Sequence, residues 1–311
     1  MFSLNEVSAL TGCIQFRTET LTGIRCRIST ERVKRAIDRP PVMNNSSGDC
    51  PFCPEKITAE TPVFPDGSRI IVGESVTFPN LFPFSEHHTV TVITGDHFAS
   101  NNITEKQIAD ALKGQYLSLK EFPGCYPSIN WNNLPSAGAS IVHPHMQAIA
   151  DNTPTYLAGR YIEESRCYFL KTGEVYYDNL ISLETDSERF LFGDEISWIA
   201  NAVPVGEREV RGYLPVHSID EFEPYIDVLA KGLHRVITLY RSIGNYAFNA
   251  AIYFDRCGTD RGFRSFCSVI ARINPNPMSI SDTAFMERLH LEPVILTLPE
   301  DLGRYYRELC E

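Results

Sequence analysis

Residues 136–150 run SAGASIVHPHMQAIA, with apolar residues on either side of a polar centre. That is the pattern of a strand, and Pro144 biases His143 towards an extended backbone. Side chains two apart in a strand share a face. His143, His145 and Gln147 are therefore expected to project together, with Met146 on the other side. Three polar side chains beside a small-residue loop, Ser136 to Ser140, make a poor core. Two readings follow: a catalytic or metal-binding face, or the exposed polar face of an edge strand, where Pro144 would be tolerated.

Working outward, short β-rich runs dominate: IRCRIST (24–30), RIIV (69–72) and HTVTVI (88–93). Two helical patterns interrupt them. Thr104 with Gln107 forms a capping box, ahead of a face made by Ile108, Leu112, Tyr116 and Leu119. Ser218 with Glu221 forms a second, followed by Phe222, Tyr225, Ile226, Leu229, Leu233, Val236, Ile237 and Tyr240, and Gly244 is placed to stop that helix. Each helix has an apolar face to lay on a sheet. The two blocks resemble one another: with an offset of 121, ESVTFPNLFPFSE (74–86) falls on EISWIANAVPVGE (195–207). Glu74, Asn80, Pro83 and Glu86 then coincide with Glu195, Asn201, Pro204 and Glu207. A β-rich run, a His (His97 or His217), a capped helix and another β-rich run follow in both. The expectation is a tandem duplication, two α+β halves packed as one body.

Composition sets the outer limits. The 311 residues carry 28 Lys and Arg against 39 Asp and Glu, a formal net charge of −11. Such acidity argues against electrostatic binding of nucleic acid or an anionic membrane, though a few local Arg residues could hold a small anion. No run of about 18 apolar residues suggests a spanning helix, and the opening MFSLNEVSALTG has no basic n-region of a secretory signal. Nine cysteines scattered over the chain point to free thiols or a metal site in a reducing compartment. The expected location is the cytoplasm.

Cys50-Pro51-Phe52-Cys53 is a C-x-x-C followed by Pro54. Two thiolates at this spacing can clasp Zn²⁺ from a tight turn; a redox pair or ordinary loop thiols are the other readings. No second C-x-x-C exists, so an ion would complete its shell with His, Asp or Glu. For the His143–Gln147 face, imidazole chemistry suggests a role. A neutral His can attack phosphorus and divide a transfer into two steps through a covalent intermediate. The Gln147 amide can donate to a phosphoryl oxygen, and the loop before it lets backbone N–H groups approach phosphate. Arg32, Lys34 and Arg35 are the local cations, or simply a solvated basic stretch.

Taken together, these motifs resemble the galactose-1-phosphate uridylyltransferase family of the histidine-triad superfamily. The H-P-H-x-Q motif is His143–Gln147. Leu21-Thr22-Gly23 and Glu31-Arg32-Val33-Lys34-Arg35 match the family's early segment. The CPFC pair, Pro79–Pro83, Asp96-His97 and Asn132, eleven residues before His143, are also family-like. The resemblance implies zinc bound by Cys50, Cys53, His97 and His143, with His87 and His88 as weaker local rivals for the third position. It implies His145 as nucleophile, Gln147 and Ser140 on the phosphoryl oxygens, Arg32 and Arg35 on substrate phosphates, and Asn80 and Asn132 on the nucleotide. Gln147 in place of a third His marks the transferase and phosphorylase branches.

The second copy departs from this pattern, because His143, His145 and Gln147 fall on Arg264, Phe266 and Ser268 and residues 261–274 contain no His. The expected organisation is residues 1–160 as a histidine-triad-like half carrying the zinc and catalytic motifs, and 161–311 as a second half with a degenerate motif. The expected fold is α+β with antiparallel sheets and packed helices. The expected activity is transfer of a nucleoside monophosphate from a nucleotide sugar, UDP-glucose first, to an acceptor such as galactose 1-phosphate. The alternative is an ADP-sugar or dinucleoside-polyphosphate phosphorylase or adenylyltransferase using inorganic phosphate. The family suggests a homodimer.

Overall fold

The computed structural model describes residues 1–9, 12–30, 50–97, 99–259, 262–273 and 285–310. Arg32, Lys34 and Arg35 lie outside them. In chain order the elements are β1 (Phe2–Ala9), β2 (Gly12–Glu19), β3 (Arg25–Ile28), α1 (Ile57–Glu60), β4 (Ile70–Val72), β5 (Ser75–Pro79) and β6 (His87–Val92). They continue with α2 (Glu105–Leu119), β7 (Tyr126–Asn133), β8 (His145–Asp151), α3 (Tyr156–Thr172), α4 (Tyr176–Glu184), β9 (Phe190–Gly193), β10 (Ser197–Ala200) and β11 (Val210–Tyr213). The last are α5 (Ile226–Ser242), β12 (Ala247–Tyr253), β13 (Phe266–Arg272), α6 (Phe285–Leu289), β14 (Val294–Ile295) and α7 (Pro299–Cys310).

The duplication is written into one sheet. Ten strands run in the order β4-β5-β6-β8-β7-β12-β13-β11-β10-β9, all neighbours antiparallel. Read from the β7–β12 seam outward, the two sides repeat the same strand order. The offset of 121 carries β8 (145–151) onto β13 (266–272), and register follows: Val90 faces Gln147 in one half, Arg211 faces Ser268 in the other. Residue 160, where the sequence suggests dividing the halves, falls within α3. The small sheet β1-β2-β3-β14 is placed against the second half, where Met1, Leu21 and Ile24 join the cluster around Tyr161, Tyr177 and Phe266.

One face of the large sheet is covered along its whole length. Met146, Ala148 and Ala150 of β8, and Cys267, Val269 and Ala271 of β13, point into a continuous core with α2 and α5. Ile108, Leu112, Tyr116 and Leu119 form the inner face of α2 as the spacing requires, and the Thr104–Gln107 capping box closes its start. The Ser218–Glu221 box does not form. Pro224 lacks an N–H and cannot sit inside an α-helical ladder, so the chain advances through 3₁₀ turns at Ile219–Glu221 and Glu223–Tyr225 and α5 begins only at Ile226. Glu221 instead accepts from the His217 backbone N–H at 3.1 Å. Gly244, at φ +85°, follows the end of α5 as expected. All nine cysteines are free thiols. No helix among the described residues is long and apolar enough to cross a membrane.

Candidate active site

β8 lies inside the sheet, between β6 and β7, which removes the edge-strand reading. The shared face expected for His143, His145 and Gln147 is corrected by Pro144. Pro144 accepts from the Ile93 N–H at 3.0 Å but has no N–H to return, and paired residues on β6 and β8 begin at His145 opposite Val92. His143 stays in the preceding bend and turns to a different task.

That task is a cluster with the C-x-x-C turn. Cys50, Cys53, His97 and His143 bring their ligand atoms within 4.8 Å of one another, a group that can hold a metal ion. The CPFC turn closes through Cys53 N–H to the Cys50 carbonyl at 3.3 Å, which aims both sulfurs the same way. His143 Nδ1 lies 3.7 Å from each Sγ, and His97 Nδ1 lies 3.5 Å from Cys53 Sγ. His143 Nε2–H donates to the Thr94 carbonyl at 2.7 Å, which fixes the tautomer and leaves the Nδ1 lone pair facing the thiols. Burial and the neighbouring Cys50 push the Cys53 thiol up to about 11, so an ion binding here displaces protons. His87 and His88 are not in the cluster: the His87 ring stacks on Phe122, and His88 contacts Gln147.

His145 is governed by the same backbone. Its Nδ1–H donates to the His143 carbonyl at 2.8 Å, so the proton is on Nδ1 and the lone pair on Nε2. The residue is 5% exposed, and its ring packs edge-on against Phe52, ring centroids 5.3 Å apart. Burial pushes its pKa below the ordinary imidazole value, against the opposing effect of that hydrogen bond. The result is a neutral imidazole with a fixed tautomer, the form in which His is a nucleophile.

A cleft of about 630 Å³ opens over His145 on the sheet face opposite α2. Asn80, Asn132, Ser140 and Gln147 line it with His145, so five of the expected residues converge on one space. Its walls include Phe52, Phe78, Phe82 and Phe84, with Phe82 and Phe84 exposed at the rim. Volume and lining are those of a small-ligand site, apolar with a few converging polar groups.

His88, buried behind the cleft, holds a residue that lines it, a role the sequence does not show. The Phe84 N–H donates to its Nδ1 at 3.4 Å, so Nε2 carries the ring proton and donates to Gln147 Oε1 at 2.8 Å. Asn80 Nδ2 lies 3.0 Å from the same nitrogen; of the two amides only Gln147 offers an acceptor there. With its carbonyl held by His88, Gln147 has its NH₂ available to the cleft. The signal in the sequence was His88 two positions before Val90, whose place opposite Gln147 only the β6–β8 register reveals.

No protein-family model matches the chain. The fold is that of the GalT-like proteins: a GalT-like protein from Arabidopsis thaliana superposes with a TM-score of 0.74 at 15% identity, covering 94% of this chain and 98% of that one. Among the particular structures of this fold, the ADP-glucose phosphorylase of Arabidopsis thaliana with bound ADP-glucose gives a TM-score of 0.76 at 16% identity, covering 95% and 99%. A uridylyltransferase gives 0.70 at 16%, covering 94% and 97%. In sequence, an uncharacterized protein of Archaeoglobus fulgidus is 26% identical over 313 aligned positions, 95% of this chain and 92% of that protein.

Proposed function

We propose that the protein is a nucleotidyltransferase working by double displacement on His145. The observation that carries this is the buried, neutral imidazole whose Nδ1–H is tied to the His143 carbonyl, leaving Nε2 as the attacking atom. In the first step Nε2 forms a bond to the α-phosphorus of a nucleotide sugar. The bond from that phosphorus to the bridging oxygen breaks, and a sugar 1-phosphate leaves with the electron pair. In the second step a phosphate oxygen of the acceptor attacks the same phosphorus, and the N–P bond breaks to return the imidazole. Dividing the transfer this way replaces one encounter of two anions with two easier ones. Gln147, Ser140, Asn80 and Asn132 are assigned to the phosphoryl oxygens and nucleotide, and Arg32 and Arg35 to charge neutralisation.

The metal is assigned as zinc on Cys50, Cys53, His97 and His143. A tetrahedral ion with Zn–S about 2.3 Å and Zn–N about 2.0–2.1 Å needs S···N separations of about 3.6 Å, and the separations of 3.5 and 3.7 Å fit that requirement. When bound, zinc supplies a fixed geometry for the turn and for His143. His143 in turn holds His145 through its carbonyl.

The first substrate pair we propose is UDP-glucose with galactose 1-phosphate, in a cytoplasmic homodimer whose chains divide near residue 160. A phosphorylase using inorganic phosphate on an ADP-sugar or a dinucleoside polyphosphate is the second reading. It is favoured by the likeness to the ADP-glucose phosphorylase fold. Incubation with UDP-glucose or ADP-glucose, each with galactose 1-phosphate, with inorganic phosphate, or alone, separates them. Exchange of sugars on the uridine nucleotide supports the first, and nucleoside diphosphate made only with inorganic phosphate supports the second. Release of free nucleoside monophosphate from either sugar alone, with no transfer, would contradict both.

A further inference from the structure

The β7–β12 seam brings a residue of the second half up behind the wall of the first half's cleft. Asn249 stands opposite Asn132 in the β7–β12 register. Its Nδ2 donates both protons, one to Asn132 Oδ1 at 2.6 Å and one to the Ala137 carbonyl at 2.7 Å. Its Oδ1 accepts from Arg272 Nη1 at 2.8 Å. These three partners admit one orientation of the amide. Turned over, Asn249 would face its carbonyl towards two acceptors and its NH₂ towards a guanidinium.

Two consequences reach the cleft. Asn132 lines it, and with its carbonyl oxygen engaged by Asn249 its NH₂ is the polar group left to a ligand. Ala137 belongs to the small-residue loop whose Gly138 and Ser140 also line the cleft, so the same amide ties that loop to the sheet. Phosphoryl oxygens accept hydrogen bonds and repel a carbonyl oxygen, so the direction of the Asn132 amide decides between attraction and repulsion. The repeat did not point here: with the offset of 121, Asn249 falls on Ser128, not on a residue of the motif.

We propose that Asn249 is a positioning residue for phosphate recognition, contributed by the half that lacks the reactive histidines. It sets the Asn132 amide with NH₂ towards the phosphates, and Arg272 sets Asn249. This rests on the cleft being a nucleotide site. Asn249→Asp is close to isosteric, keeps an acceptor for Arg272, and offers only acceptors to Asn132, which then turns its carbonyl to the cleft.

The test is a double-mutant cycle on kcat and KM with whichever of UDP-glucose and ADP-glucose the wild type uses. Asn249→Asp and Asn132→Ala are each expected to lower kcat/KM about tenfold, and the double variant to fall no more than about twofold below Asn132→Ala. Metal content stays at the wild-type level. A double variant about a hundredfold down, the product of two independent losses, would overturn the proposal. If Asn249→Asp does not fold, Asn249→Ala enters the same cycle with the same criterion. If the wild type turns over neither nucleotide, the nucleotidyltransferase reading fails by itself. The orientation is then decided by side-chain amide exchange in ¹⁵N-labelled protein: two slowly exchanging Asn249 protons support it, and two fast ones overturn it.

Discussion

The two halves solve the same structural problem with the same corner and then part company over what lies beside it. In the first half the Asn80 backbone N–H donates to the His88 carbonyl at 2.8 Å, and the Phe84 N–H donates to the His88 ring. In the second, Asn201 N–H donates to the Glu209 carbonyl at 2.9 Å and Val205 N–H to the Glu209 carboxylate at 2.7 Å. Gln147 meets His88, and its counterpart Ser268 donates to Glu209 at 2.7 Å. Every partner sits 121 residues on. The difference is what occupies the face beyond. Val90 leaves room for the cleft, whereas Arg211 in its place donates to Glu209 at 2.6 Å and reaches towards Glu19. His145 is replaced by Phe266, and α3 and α4 with the β1–β3 arm bury that face under Tyr161, Tyr177 and Phe263. One half leaves this face open as a cleft with polar groups; the other fills the same face with its own side chains.

If that contrast is right, equivalent positions should fail in different ways. The largest effect on folding is expected at Arg211→Met. It leaves Glu209 and Glu19, both buried, without their cation, and breaking such a group by removing one side costs roughly 3–5 kcal/mol. Urea unfolding should show the loss, with kcat/KM of the surviving folded protein near wild type. Loss of activity with unchanged stability would mean that the second half still holds a ligand. Next comes the matched pair Gln147→Ala and Ser268→Ala. Removing a donor that meets developing charge costs on the order of 10²-fold in rate, so Gln147→Ala should lose about that much activity. Its cost in stability should be about 1 kcal/mol, for one hydrogen bond. Ser268→Ala should show the reverse, about 1 kcal/mol of stability and no measurable change in rate.

Much of this was legible in the sequence because it depends on local chemistry. The Thr104–Gln107 box is made by four consecutive residues, the C-x-x-C by one turn, and the alternation of 145–150 by the strand period itself. The duplication was readable because the offset of 121 recurs in the corner residues Asn80 and Asn201. What was misread depends on prolines. Pro144 delays β8 so that His143 faces Cys50 and Cys53 instead of the cleft, and Pro224 cancels the Ser218–Glu221 box. What was missed depends on register. His88 becomes a holder of Gln147, and Asn249 a holder of Asn132, only when strands distant in the chain are placed side by side. Arg32 and Arg35 lie outside the described residues, so their part rests on the resemblance alone.

The central claim is that the open half carries a covalent nucleotidyl group on His145. Intact-mass measurement of the zinc-loaded protein after incubation with UDP-glucose, and separately with ADP-glucose, tests it directly. One added nucleoside monophosphate per chain is expected from one of the two. That adduct should be stable in alkali and lost in acid, as a phosphoramidate is, and absent in His145→Ala. An adduct of the same mass that persists in His145→Ala, or turnover by the wild type at full rate with no adduct at any time, would contradict it.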